Sequence, residues 1–255
     1  MAARIRDQAQ IRASLRRHPA LHVYELGDLD DFFWPHTTWF ARGDAIALLY
    51  TPPASSVLIA LAPDDECEGL AHLIETILPE LPARLHAHVS PSLVATLAGR
   101  HRVHGHGAHL KMALVDPTRL QPLAPDVDQL GPDDAVELGA FYARCYPGNW
   151  FDPRMLETRQ YFAIREGNEM IAAAGIHVYS ANERVAALGN IATAPHHRRR
   201  GLAAKVTSRL CRSLLQTVEL IGLNVKADNH AAIACYAQLG FEPVATYEEV
   251  LLERG

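Results

Sequence analysis

The sequence predicts a mixed α/β protein (an α+β mixed sheet) in two parts, and three observations carry that reading. Apolar residues in the C-terminal half switch between the two-residue period of strands and the 3.6-residue period of helices. A proline-dotted stretch, Asp116-Pro117 to Pro132-Asp133-Asp134, breaks the pattern mid-chain. No apolar run approaches the roughly 18 residues of a membrane span. Apolar residues make up 49% and charged residues 21%, the usage of an ordinary globular chain. The formal charge of −5 gives no general attraction for nucleic acid.

The basic start, MAARIRDQAQIRASLRRHP, has no apolar signal region. It predicts a first helix with Ile5, Ile11 and Leu15 inward. Cys67, Cys145, Cys211 and Cys235 are scattered without CxxC pairing, which suits free thiols and a reducing cytoplasm. The domain expectation is 1–117, a linker at 118–130, and a second domain at 131–255.

In the second domain a helix is expected over 134–146, opened by the acidic pair Asp133-Asp134, and a short helical piece over 153–157. Residues 161–165 and 170–179 read as strands joined at Glu166-Gly167-Asn168, a hairpin turn signal. Residues 184–193 form a third strand, with Gly189 marking a bulge. Leu202, Val206, Leu210 and Leu214 put one buried stripe on a helix over 201–217. Ile221, Leu223 and Val225 alternate with polar neighbours as a half-buried strand. Asn229 caps a last helix that ends at Gly240, and residues 244–252 close as a strand.

The decisive segment is Ile191-Ala-Thr-Ala-Pro195-His-His-Arg198-Arg-Arg-Gly201-Leu-Ala203. A strand runs into a turn with three arginines, and a glycine then opens a helix. The first amides of a helix lack internal acceptors and carry partial positive charge, so such a turn binds anions. Gly201 permits close approach to the backbone, and arginine pairs with phosphate oxygens. There is no GxxxxGK[ST] loop, and the single glycine excludes a dinucleotide fingerprint. Downstream, Asn229, Ala232 and Tyr236 share one helical face ahead of Gly240-Phe241.

Arg198-x-x-Gly201-x-Ala203 resembles the pyrophosphate signature of the GNAT superfamily of N-acetyltransferases, and Asn229-x-x-Ala232-x-x-x-Tyr236 resembles its second signature. Tyr146-Pro-Gly-Asn-Trp150-Phe151, Gly175-Ile-His-Val-Tyr179 and Val185 to Thr193 are similar to the glycine-N-acyltransferase-like branch. The resemblance implies acetyl-CoA, or another acyl-CoA, as co-substrate and a small-molecule amine as acceptor. Ile191, Ala192 and Thr193 would hold the pantetheine arm, with Asn229 contacting it from the helix cap. The amides of Arg199, Arg200, Gly201, Leu202 and Ala203, helped by Arg198, would hold the pyrophosphate. Tyr236 would be the general acid toward the departing thiolate, and Tyr146, Trp150 and Phe151 would wall the acceptor side. Many relatives carry a glutamate where this chain has Asn190, which cannot accept a proton. A water ordered by Asn190 and the imidazole of His177 are the two candidates for the base.

The segment Ile59-Ala-Leu-Ala-Pro63-Asp-Asp-Glu66-Cys67-Glu68-Gly69-Leu-Ala71 aligns with the Ile191 segment at an offset of 132 residues, matching at seven of thirteen positions. Glu66, Cys67 and Glu68 replace the arginines, and carboxylates repel an anion. The N-terminal half therefore reads as a degenerate GNAT-like relative, with residues 85–89, 93–99 and 112–115 repeating the strand–helix–strand finish. Its histidines around His104, His106 and His109 sit with Gly105 and Gly107 in an expected turn. They lack the closed ligand set of a structural metal site, so no metal is expected.

The leading expectation is an acetyl-CoA-dependent N-acetyltransferase, a monomer or homodimer that engages neither membrane nor nucleic acid. A CoA-binding regulatory module without turnover is the alternative, favoured by Asn190. Nucleic-acid binding through His196–Arg200 is a third reading, supported by one short basic run.

Overall fold

The structure, a computed structural model, describes residues 3–52 and 55–254. In chain order the strands and helices are β1 (Ala3–Ile5), α1 (Gln8–Leu15), α2 (Val23–Gly27), β2 (Thr37–Arg42), β3 (Ala45–Tyr50), β4 (Val57–Ala60), α3 (Cys67–Ile77), β5 (Arg84–Val89), α4 (Val94–Ala98) and β6 (His101–Leu114). They continue as β7 (Asp128–Gln129), α5 (Ala135–Cys145), β8 (Phe162–Glu166), β9 (Glu169–Ser180), β10 (Val185–Thr193), α6 (Leu202–Leu214), β11 (Leu220–Lys226), α7 (His230–Gln238) and β12 (Phe241–Arg254). This is a mixed α/β fold. The chain forms two compact units: Met1–Lys111 with Val225–Asn229 and Pro243–Gly255, and Met112–Asn224 with His230–Glu242.

The first unit orders its strands β1-β2-β3-β4-β5-β12. Strands β4 and β5 run parallel from Val57↔His86 to Ala60↔Val89. The end of β12, which the sequence places with the second domain, pairs antiparallel with β5 from Glu248↔Val89 to Glu253↔Arg84. Strand pairing joins residues distant in sequence, so a linker read from prolines does not reveal it. Helix α3 turns Leu70, Leu73, Ile74 and Ile77 into the core, where they meet Leu58, Ala60, Ala87 and Val250.

Two local expectations change here. The predicted first helix begins later: Ala3–Ile5 is a strand paired with β2, and Met1 and Ala2 lie outside the described residues. Asp7 sets the helix start, its carboxylate accepting from the amides of Ala9 and Gln10 at 2.9 and 3.2 Å, as an N-cap does. The expected turn at His104–His109 is instead part of β6, where His104 pairs with Glu253 at 3.2 Å and His109 with Glu249 at 3.3 Å.

The second unit orders its strands β11-β10-β9-β8-β7. The hairpin of β8 and β9 turns at Gly167 (φ +61°), where the sequence signal lay. Helix α6 lays Leu202, Val206, Leu210 and Leu214 across β8, β9 and β10. The Arg212 guanidinium fastens it, donating to the carbonyls of Gln121 at 2.8 Å and Leu120 at 2.7 Å. Helix α7 stops as expected: Gly240 has φ +93°, and a Cβ there would stand 2.1 Å from the Asp116 carbonyl oxygen.

Candidate active site

The site is built on a bulge in β10. This strand pairs parallel with β11 from Val185↔Leu220 to Leu188↔Leu223, and its antiparallel register with β9 shifts between Gly189 and Ala192. Asn190 sits in that bulge with φ +55°, a conformation asparagine tolerates better than most side chains. Beyond Leu188 the exchange of backbone bonds with β11 ends. Thr193 Oγ1 on β10 and Asn224 Oδ1 on β11 are both buried without a hydrogen-bond partner among the described residues. Orphaned polar atoms on two strands that have stopped pairing fit an amide-bearing ligand, because buried polar groups otherwise find partners.

The arginine turn follows β10 in the chain and opens α6. Ala194 is tied to Ile171 by a 2.8 Å backbone bond, and α6 is capped by Gly201 at φ +74°. From Arg199 to Ala203 no N–H donates to a backbone carbonyl among the described residues. Five open amides at a helix start form an anion cradle, and the pyrophosphate of an acyl-CoA fits it. The three arginines differ. Arg198 is exposed and reaches back to the Thr193 carbonyl at 3.4 Å, whereas Arg200 is held by Glu166 at 3.1 Å and by the His197 imidazole at 2.7 Å. Arg199 adopts φ +64°, turning the backbone into the cradle.

Tyr236 lies on α7 in the same unit and is almost completely buried. Burial raises its hydroxyl well above the ordinary tyrosine range, with Cys235 and Tyr146 adding to the effect, so it stays protonated. Asn229 directly precedes α7, its amide donating to the Lys226 carbonyl at 2.9 Å, and belongs by contacts to the first unit. His177 packs over the bulge: a Cβ on Gly189 would stand 2.1 Å from its Cδ2. Burial pushes the imidazole down to about 4, so it is neutral at neutral pH.

The structure joins Asn190 to groups that sequence patterns did not single out. The Tyr142 hydroxyl donates to the Asn190 carbonyl at 2.7 Å, and the Tyr161 hydroxyl donates to the Ile176 carbonyl at 2.7 Å. Asn190 Nδ2 donates to Tyr161 Oη and to the Trp150 carbonyl, each at 3.2 Å. Phe151 fills the corner, its ring 5.3 Å from Tyr142 and 5.8 Å from Tyr161. Trp150 thus meets Asn190 through its backbone, while Trp150 and Tyr146 as residues are 53% and 45% exposed. One signal for Tyr161 lay in the sequence. Gly175 interrupts an apolar strand, and a Cβ there would fall 1.9 Å from the Tyr161 ring. A glycine inside a strand marks such close approach.

Residues 132–241 match the sequence model of the acetyltransferase (GNAT) family. No curated protein matches the chain. Among solved structures, a Drosophila protein is similar at TM-score 0.72 and 13% identity, over 98% of both chains. A GCN5-related N-acetyltransferase from Kribbella flavida is similar at TM-score 0.61 and 18% identity, over 98% of this chain and 96% of its own. A tandem GNAT protein from the clavulanic acid biosynthesis pathway is similar at TM-score 0.57 and 17% identity, over 100% of this chain and 98% of its own. The segment 132–241, which holds the bulged strand, the open amides and the buried tyrosine, is the part of the chain that is similar to the GNAT acetyltransferase family.

Proposed function

We propose that the chain is an acetyl-CoA-dependent N-acetyltransferase that acylates the amine of a small molecule by direct attack in a ternary complex. The observation that carries this is the end of β10–β11 pairing at Leu188↔Leu223, with Thr193 Oγ1 and Asn224 Oδ1 unpartnered and the amides of Arg199–Ala203 open at the start of α6. When bound, acetyl-CoA supplies the acyl group as a thioester. The backbone of Ile191 to Thr193 holds its arm, Asn229 contacts the arm, and the Arg199–Ala203 amides with Arg198 hold its pyrophosphate. The Tyr236 hydroxyl, kept protonated by burial, donates to the departing sulfur. Tyr146, Trp150 and Phe151 border the acceptor, in keeping with a glycine-N-acyltransferase-like branch.

The first unit supports one working cofactor site per chain. At the offset of 132, Val57–Ala60 corresponds to Gly189–Ala192, yet β4 stays paired with β5 through this stretch. The Ser90 amide donates to Ala60 O at 3.0 Å, and its hydroxyl bridges the Ala62 amide and carbonyl at 3.0 and 3.2 Å. Glu66, which replaces Arg198, is paired with Arg17 and with His18 at 3.1 Å. This supports a tandem of two related folds in which the first keeps these strands paired and has lost its cationic turn.

The second reading, a CoA-binding regulatory module without turnover, is favoured by Asn190 in place of a proton-accepting carboxylate. Thiol release from acetyl-CoA across an amine panel, with Tyr236→Phe as control, separates the two. Release that depends on Tyr236 establishes the enzyme, and tight CoA binding without release for any amine establishes the module.

A further inference from the structure

Both amide hydrogens of Asn190 are committed. One meets the Trp150 carbonyl, which only accepts, so the carboxamide cannot be turned over. The other meets Tyr161 Oη, whose own proton goes to Ile176. Asn190 Oδ1 is thereby fixed in direction, buried, and without a donor among the described residues. Next to Trp150, Asn149 Nδ2 is buried and unpartnered as well. Both open atoms belong to uncharged carboxamides.

The surroundings are equally uncharged. Tyr142 from α5, Tyr161 ahead of β8 and Tyr236 from α7 are held protonated by burial, and His177 from β9 is held neutral by burial. The carboxylate whose charge reaches these groups is that of Asp152, acting on Tyr161. Asp152 is itself spent on Arg154, which holds it below the usual carboxylate range. An ammonium ion entering this site would lose its hydration without a counter-charge, which is strongly unfavourable.

We propose that Asn190 positions the acceptor, its Oδ1 receiving an N–H of a neutral amine, and that the substrates are weakly basic amines rather than ammonium ions. The inference rests on the acetyltransferase reading above. The proton balance agrees with it. As the C–N bond forms and the C–S bond breaks, the nitrogen loses one proton and the sulfur gains one, with Tyr236 giving the sulfur its proton and being reprotonated from the nitrogen side. A neutral amine therefore needs no external base, whereas an ammonium must first surrender a proton to one.

The test is the pH dependence of KM in the full chain, followed by thiol release from acetyl-CoA. Two acceptors serve: an α-amino amide with pKa about 8 and an alkylamine with pKa about 10.4. Only the neutral fraction binds, so the alkylamine KM should fall about tenfold per pH unit between about pH 7 and 9, while the amide KM levels off near about 8. Asn190→Asp, which adds a counter-charge, should flatten the alkylamine slope. Tyr161→Phe removes a tether but leaves Oδ1, and should retain the slope. CoA affinity by calorimetry confirms that each variant is folded. Turnover with an alkylamine KM indifferent to pH in the parent protein overturns this inference and leaves acetyl transfer standing. CoA binding without turnover of any amine overturns acetyl transfer, and this inference with it.

Discussion

Gly189 makes room for His177: a Cβ on the glycine would stand 2.1 Å from Cδ2 of the imidazole and 2.3 Å from Nε2. The ring therefore occupies the space a side chain at Gly189 would take, beside the bulge of β10. Gly189→Ala should force the ring away and cost about 1–3 kcal/mol, the usual penalty of overpacking. Urea unfolding measures the loss. An unchanged midpoint would mean that His177 moves freely.

The protonation of His177 gives an acid-sensitivity prediction. Its folded value near 4 lies below the ordinary 6.5 because burial disfavours the charged ring. Between these values the unfolded chain binds more protons, so stability is complete above about 6.5 and declines as pH falls toward 4, by at most about 3 kcal/mol. His88 in the first unit, pushed to about 3 by burial and Lys111, acts with the same sign. His177→Gln should shrink the difference in unfolding free energy between pH 7 and pH 5, and an equal difference in both proteins would refute the assignment.

Tyr236 is assigned a proton transfer, so its removal should act on kcat. Tyr236→Phe should lower kcat by about 10²–10⁴ and leave the KM for acetyl-CoA within a few-fold. Loss in KM alone would make Tyr236 a packing residue.

Charge at the arginine turn should govern cofactor affinity. Arg198→Glu, which installs the residue type found at Glu66, should remove about 1.5–3 kcal/mol of CoA binding, roughly 10- to 100-fold in Kd. Calorimetry on the parent chain should give one CoA per chain. A stoichiometry of two would show that the Ser90 bridge between β4 and β5 opens.

Much of the C-terminal unit was legible in the sequence because its signals are local. Gly201 and the arginines mark a helix start, Leu202, Val206, Leu210 and Leu214 mark its buried stripe, and Gly240 marks the end of α7 through a backbone conformation that few residues adopt. Period and turn chemistry operate within a few residues. Asn190 was legible as a missing carboxylate, but its tethers to Trp150 and Tyr161 were not, since these join residues 29 to 40 positions apart.

By itself the sequence determined the order of elements from α5 to α7, the arginine turn ahead of α6 and the tyrosine on the last helix. Tertiary structure decided what such patterns leave open: that β12 finishes against β5, that the Ser90 hydroxyl bridges the Ala62 backbone in the first unit, and that Asn190 points one unpartnered oxygen inward. The physical reason is the same each time. Strand partners and buried hydrogen bonds are chosen by the packed whole, where every polar group must find its partner across the chain or leave it to a ligand.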